Sequence, residues 1–232
     1  MFPLKDSIKS SKTPYVLYAI IVLNVVIFAY ELSLSKTDLI MFIHRYGLVP
    51  SRYTDGRIII LGTYEMSVNQ FNFIPFLSST FIHGGWFHII SNMWTLFVFG
   101  DNVESKLGHI RFLFYYLSWG VIANVIQFSF MSDSHIAIIG ASGSIAGVMG
   151  TYLYFFPWSR VLTLVPIFFF PLLFELPAYF FLVLWFFSQF FNGVFSVSSS
   201  SSGGVAWWAH IGGFIIGLLM AWSFSRRKEE IS

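Results

Sequence analysis

The sequence predicts an all-α, polytopic membrane protein, a bundle of six transmembrane helices, and three observations carry that prediction. Of 232 residues, 56% are hydrophobic and 10% charged, with a mean hydropathy of +0.72, which lies outside the usual composition of a soluble domain. Apolar runs poor in charge recur at residues 14–32, 81–99, 110–131, 139–157, 172–192 and 205–224, each near the roughly 20 residues that cross a bilayer core as a helix. Between them only residues 33–80 form a long connection, so residues 1–232 read as one membrane-embedded domain.

The first run follows Lys5, Lys9 and Lys12, as a signal peptide would, but it is long and no small-residue cleavage site follows; it reads as a retained helix. The second carries His88 and Asn92. The third, 110–131, is apolar with few charges. The fourth begins near Ser142 and ends before Pro157, about 22 Å of helix, too short for a bilayer core. The residues before Ser142 are therefore expected to dip into the membrane as irregular backbone lining a cavity or buried in protein.

The stretch from Val161 to Asn192 is too long for one crossing, and Pro166, Pro171 and Pro177 interrupt its first half, where a regular helix is disfavoured. Its beginning is expected at the interface, with Glu175 in a structural role near the end of the fifth span. Gly193 to Gly204 is rich in serine and reads as a linker. The sixth run holds His210.

With six spans both termini share a side. That side carries Lys5, Lys9, Lys12, Lys106, Arg111, Arg160, Arg226, Arg227 and Lys228; the other carries Lys36, Arg45, Arg52 and Arg57, all in the long loop. The positive-inside bias then predicts both termini cytoplasmic. A short chain without targeting segments is expected in a bacterial inner membrane. The net charge of +2 comes from scattered residues, so no nucleic-acid partner is expected; the partners are the lipid bilayer and other membrane proteins, and no oligomeric state is assigned. Cysteine is absent, which removes disulfides, thiolate metal sites and cysteine nucleophiles.

Chemistry must then come from the polar residues inside apolar runs, and the derived orientation puts all of these towards the outer leaflet. His88 and Asn92, four apart, share a helix face. Ser142 lies in Gly140-Ala141-Ser142-Gly143, and His210 about five residues into the last run, in Ala209-His210-Ile211-Gly212-Gly213. Gly143, Gly147 and Gly150 on one run and Gly213 and Gly217 on the other have the small-residue spacing that lets membrane helices approach closely. Serine becomes a nucleophile when a base accepts its proton, and histidine serves that role. No Asp or Glu lies near His210 in the runs, so a Ser142–His210 dyad is expected, with aromatics such as Trp207 orienting the ring. The Ser142 backbone N–H, the Asn92 amide and the His88 imidazole are the candidate donors to an oxyanion.

These motifs resemble the rhomboid family, whose pattern is His-x-x-x-Asn in the second span, Gly-x-Ser-Gly at the fourth and a histidine among small residues in the sixth. All three occur in order, and the resemblance extends to His83 and to Gly100-Asp101-Asn102-Val103-Glu104 with Gly108, covering about residues 81–222. It implies a six-helix rhomboid core and an intramembrane serine protease in which Ser142 and His210 are the catalytic dyad and His88, Asn92 and the Ser142 amide form the oxyanion site. Residues 33–80 contain no Trp, so the Trp-Arg pair many members carry in that loop is missing.

Each residue also has a plainer reading. A serine between glycines at a helix start is more often a cap or a packing residue, and a lone intramembrane histidine can simply bond a neighbouring helix. His83, Asp101 and Glu104 read as structural. A transporter would also use intramembrane His and Asn, but no repeat is visible. A haem or metal site built from His83, His88 and His210 lacks ligand spacing, and no His-Glu-x-x-His motif or pair of intramembrane aspartates points to another protease class. No metal or cofactor is expected. The non-enzymatic rival is an inactive relative that binds membrane helices. The expected reaction is hydrolysis of a peptide bond in or near the outer part of another protein's transmembrane segment, through an acyl-enzyme on Ser142.

Overall fold

The structure, a computed structural model, describes residues 1–54, 57–60, 64–67, 69–167, 170–198 and 205–229, without side chains for 57–60, 64–67, 166–167, 170, 197–198 and 228–229. In chain order it runs β1 (Phe2–Asp6), α1 (Tyr15–Ser33), α2 (Lys36–Tyr46), α3 (Ser51–Thr54), β2 (Arg57–Ile60), β3 (Tyr64–Ser67), α4 (Pro75–Ser78) and a 3-10 turn at Ser79–Phe81. Then come α5 (Trp86–Leu107), α6 (His109–Phe130), α7 (Ser142–Phe155), β4 (Arg160–Ile167), β5 (Phe170–Pro177), α8 (Ala178–Ser198) and α9 (Trp207–Glu229).

Among the described residues four helices are long and apolar enough to cross a membrane, within α1, α6, α8 and α9, and the chain is an integral membrane protein. The fold is mostly helical rather than purely so. β1, β4 and β5 form a three-stranded antiparallel sheet in the order β1-β4-β5, with Asp6 opposite Val161 and Leu162 opposite Glu175. The prolines of the 161–177 stretch do exclude helix, but its β-branched alternation, with Val161 and Thr163 buried, satisfies the backbone as a hairpin. The fifth helix accordingly starts at Ala178 and continues through Gly193 to Ser198, where the sequence suggested a linker; residues 199–204 of that expected linker lie outside the described residues. Glu175 ends exposed, 3.9 Å from Arg160.

α7 is the hub. Its 14 residues give about 21 Å of helix, and Gly143 to Tyr152 are all buried. Around it pack Phe99, Phe112, Tyr116, Trp119 and Phe181. The fit to α9 depends on missing side chains: a Cβ on Gly217 would lie 2.1 Å from the Gly147 carbonyl oxygen, and one on Gly213 2.2 Å from that of Gly143. Thr151 Oγ1 then donates to the Gly217 carbonyl at 2.9 Å. Small residues at these positions let two backbones touch, where any larger residue would separate the helices.

α1 begins at Pro14 without a side-chain cap of its own. Its free N–H groups instead donate to a distant carboxylate, Val16 at 3.0 Å and Leu17 at 2.7 Å to Glu104 of α5, and His109 Nδ1 lies 2.5 Å from the same group. Glu104 is thus part of α5, which runs on past Gly100 and stops at Gly108, whose φ of +83° suits glycine. Gly108 alone separates α5 from α6. Because the starts of α1 and α6 and the end of α9 gather at this end of the bundle, with Arg111 over the Phe224 ring, the N-terminal strand and the C-terminal turn share a side.

Candidate active site

At the opposite end, the loop before α7 enters the bundle as irregular backbone, and the long 33–80 segment supplies its hydrogen bonds. Leu48 and Ile138 exchange both backbone bonds, at 3.1 and 2.7 Å, and the Gly140 N–H donates to Ser79 O at 2.9 Å. Arg52, buried without a Trp partner, donates to the carbonyls of His44 and Arg45 at 2.7 and 3.3 Å, closing the C-terminal end of α2. Leu48 and Ser79 therefore supply the bonds that make a part-buried non-helical loop tolerable.

Ser142 emerges from this loop as the first residue of α7. Its hydroxyl lies 2.8 Å from His210 Nε2. Histidine depth is set by Gln127 of α6, whose Oε1 accepts from the Ala209 N–H at 3.1 Å in the first turn of α9. The glycine contacts of α7 and α9 close the remaining gap, as their sequence spacing predicted.

The second ring nitrogen of His210 has a partner that the sequence reading missed: Nδ1 lies 2.8 Å from Gln189 Oε1 of α8. The orientation of that amide is determined by its neighbours. Ser188 donates to the Trp185 carbonyl at 2.6 Å, so its oxygen is free to accept from Gln189 Nε2 at 2.8 Å, which leaves Oε1 facing the histidine. A carbonyl oxygen only accepts, so Nδ1 carries the proton and the Nε2 lone pair points at Ser142. Trp185 and Trp207 flank the ring at centroid distances of 5.9 and 6.1 Å, so aromatic packing and an amide acceptor both orient it. The ring is therefore not left to packing alone, as the sequence reading had it. The signal was a glutamine inside the apolar run Phe186 to Phe191, 7% exposed; a search confined to carboxylates passes over it.

His88 and Asn92 stand on one face of α5, against the backbone just ahead of Ser142. A Cβ at Gly140 would lie 2.5 Å from His88 Nε2 and 3.6 Å from Asn92 Nδ2, and the Gly140 φ of +120° also calls for glycine. His88 Nδ1 accepts from the Gly84 N–H at 3.4 Å, which leaves the proton on the Nε2 that faces Gly140. Asn92 Nδ2 is buried and, among the described residues, has no hydrogen-bond partner, a costly state for a donor. His83, buried beside His88 with ring centroids 5.0 Å apart, has its backbone N–H on the Glu31 carboxylate at 3.3 Å.

Ser142, His210, His88 and Asn92 all line one cavity of about 370 Å³ that also meets Gln127 and Ser91. The four residues singled out in the sequence are thus brought together, with a serine and base on one side and amide and imidazole donors on the other. Among the described residues no cluster of His, Cys, Asp and Glu is arranged to hold a metal ion.

Comparison with known proteins gives the same direction. A family model described as the Rhomboid domain matches residues 70–227. The chain is 25% identical over 223 residues to Rhomboid protein 1, mitochondrial, of Saccharomyces cerevisiae, covering 92% of this chain and 54% of that protein. It is 30% identical over 91 residues to the putative rhomboid protease YdcA of Bacillus subtilis, 39% of this chain and 45% of that one. It is 34% identical over 89 residues to the human Presenilin-associated rhomboid-like protein, mitochondrial, 38% of this chain and 24% of that one. The chain therefore spans about half or less of the length of these relatives. A helical membrane bundle with this family match over more than half its length belongs to the rhomboid family.

Proposed function

We propose that the protein is an intramembrane serine endopeptidase that cleaves transmembrane segments of other membrane proteins. The observation that carries this reading is the hydrogen-bond sequence Gln189 to His210 to Ser142, which presents a basic nitrogen to a hydroxyl at 2.8 Å. In the proposed reaction Ser142 Oγ attacks the scissile carbonyl as His210 Nε2 takes its proton. The resulting oxyanion is received by Asn92 Nδ2–H, His88 Nε2–H and the Ser142 N–H, which the first turn of a helix leaves without an intrahelical partner. The proton passes from Nε2 to the leaving amine, and a water activated by the same nitrogen hydrolyses the acyl-enzyme.

In this reading α5 and α7 join the four long apolar helices to make six spans, with both termini cytoplasmic and the cavity facing the outer side of a bacterial inner membrane. A transmembrane substrate must unwind locally before attack, because its backbone amides are already bonded in lipid; a stable poly-Leu segment is expected to be cleaved poorly beside one holding helix-breaking residues.

The test is cleavage of a single-span model substrate in liposomes by wild type, Ser142→Ala and His210→Ala, with fragments located by mass. Cleavage near the outer end of the span by wild type, falling by about 10³-fold or more in both variants, is expected. A folded wild type that cleaves none of several such substrates but still binds them would replace the reading with a non-catalytic helix-binding protein.

A further inference from the structure

At the other end of the molecule, α6 and α9 diverge around a second cavity, of about 480 Å³. Helical spacing builds it: Arg111 and Tyr115 are four apart on α6, while Met220, Ser223, Phe224 and Arg227 lie at intervals of three, one and three on α9. Arg111 belongs to the first turn of α6 and Arg227 to the last of α9, so two arginines line one cleft from different helices. Arg111 lies over the Phe224 ring, 5.5 Å from its centroid. No acidic side chain lines the cleft among the described residues.

From this geometry we infer that the cleft is a binding site for the phosphate of an anionic phospholipid. Guanidinium groups donate bidentately to a phosphate, and Ser223 and Tyr115, which line the same cleft, carry further hydroxyl donors. Basic pockets between membrane helices at the level of the headgroups select anionic lipids. The apolar lower wall, with Met220 on one helix and an exposed aromatic face on the other, suits an acyl chain, which a free phosphate would not need. The site lies at the end of the bundle remote from Ser142 and does not depend on the proteolytic reading.

The test uses the full chain in neutral detergent, with native mass spectrometry and thermal unfolding in the presence of phosphatidylglycerol, phosphatidylcholine or inorganic phosphate. One retained phosphatidylglycerol and a Tm rise of several degrees are expected. The double variant Arg111→Gln/Arg227→Gln should weaken this binding at least fivefold, whereas Arg226→Gln, whose guanidinium lies 4.5 Å from the Trp222 ring centroid and does not line the cleft, should not. Equal binding of phosphatidylcholine, or full retention by the double variant, would overturn the site; an equal Tm rise with inorganic phosphate would overturn the lipid assignment in favour of a free anion.

Discussion

The two ends of the bundle handle buried polar groups in opposite ways. At the end holding the chain termini, the carboxylates are saturated: Glu104, fully buried, accepts from two backbone N–H groups of α1 and contacts His109, and Asp6 of β1 accepts from Tyr152 and from Asn102 at 2.8 Å. At the cavity end, Asn92 Nδ2 is buried without a partner among the described residues. An unpaired donor that lines a cavity is open to whatever group enters it, which a saturated carboxylate is not. If the proposed function is right, variants at the two ends should therefore affect different quantities, stability at one and activity at the other.

The largest of these effects is expected at the cavity end. Asn92→Ala should lower kcat by about 10²-fold, as loss of an oxyanion donor does, while Tm stays the same or rises, because an unpaired donor has been removed. Parallel cleavage assays and unfolding curves check this; a fall in Tm with activity retained per folded molecule would reverse the assignment of the two ends. Glu104→Ala should do the opposite, costing about 2–3 kcal/mol of stability from lost bonds to a charged acceptor with little change in kcat of the folded fraction.

A smaller effect is expected at Gln189. Gln189→Leu should lower kcat roughly tenfold, on the order of 1.4 kcal/mol, with KM unchanged, since the ring loses the acceptor that sets its tautomer but keeps Trp185 and Trp207. Gln189→Glu restores an acceptor and should recover most of the rate; equal loss in both variants would mean the glutamine only fills space. The smallest effect concerns pH. Burial raises the Asp6 carboxyl above its ordinary 3.8, outweighing the bonds from Tyr152 and Asn102 that lower it. The folded state then holds that proton more tightly than the unfolded chain, so its contribution to stability is complete below 3.8 and is lost as pH rises through the folded value. A shallow decline of Tm above that point is expected, and Asp6→Asn should flatten it.

The sequence carried the site further than it carried the fold around it. His88 with Asn92, Ser142 and His210 were legible because polar residues inside apolar runs are conspicuous, and because helical spacing places them on faces that small residues bring together. Gln189 carried the same signal, but it escaped a reading that looked for an acid, although an amide carbonyl serves as acceptor in a dry site. The prolines of 161–177 correctly ruled out helix, yet the hairpin they permit depends on β1, more than 150 residues earlier in the chain, to pair with it. The roles of the 33–80 segment and of Glu104 were hidden for the same reason: each satisfies backbone groups of a distant element, Ile138 and Gly140 in one case and Val16 and Leu17 in the other.

Hydropathy, helical period and short motifs thus determined by themselves that this chain belongs in a bilayer and which polar side chains stand out inside its apolar runs, since each is a property of residues close in sequence. Tertiary structure alone decided what fixes the His210 tautomer, what caps α1 and which backbone lines the cavity. Hydrogen bonds in a dry interior are satisfied by whatever packing brings near, and that proximity is written in no local stretch of the chain.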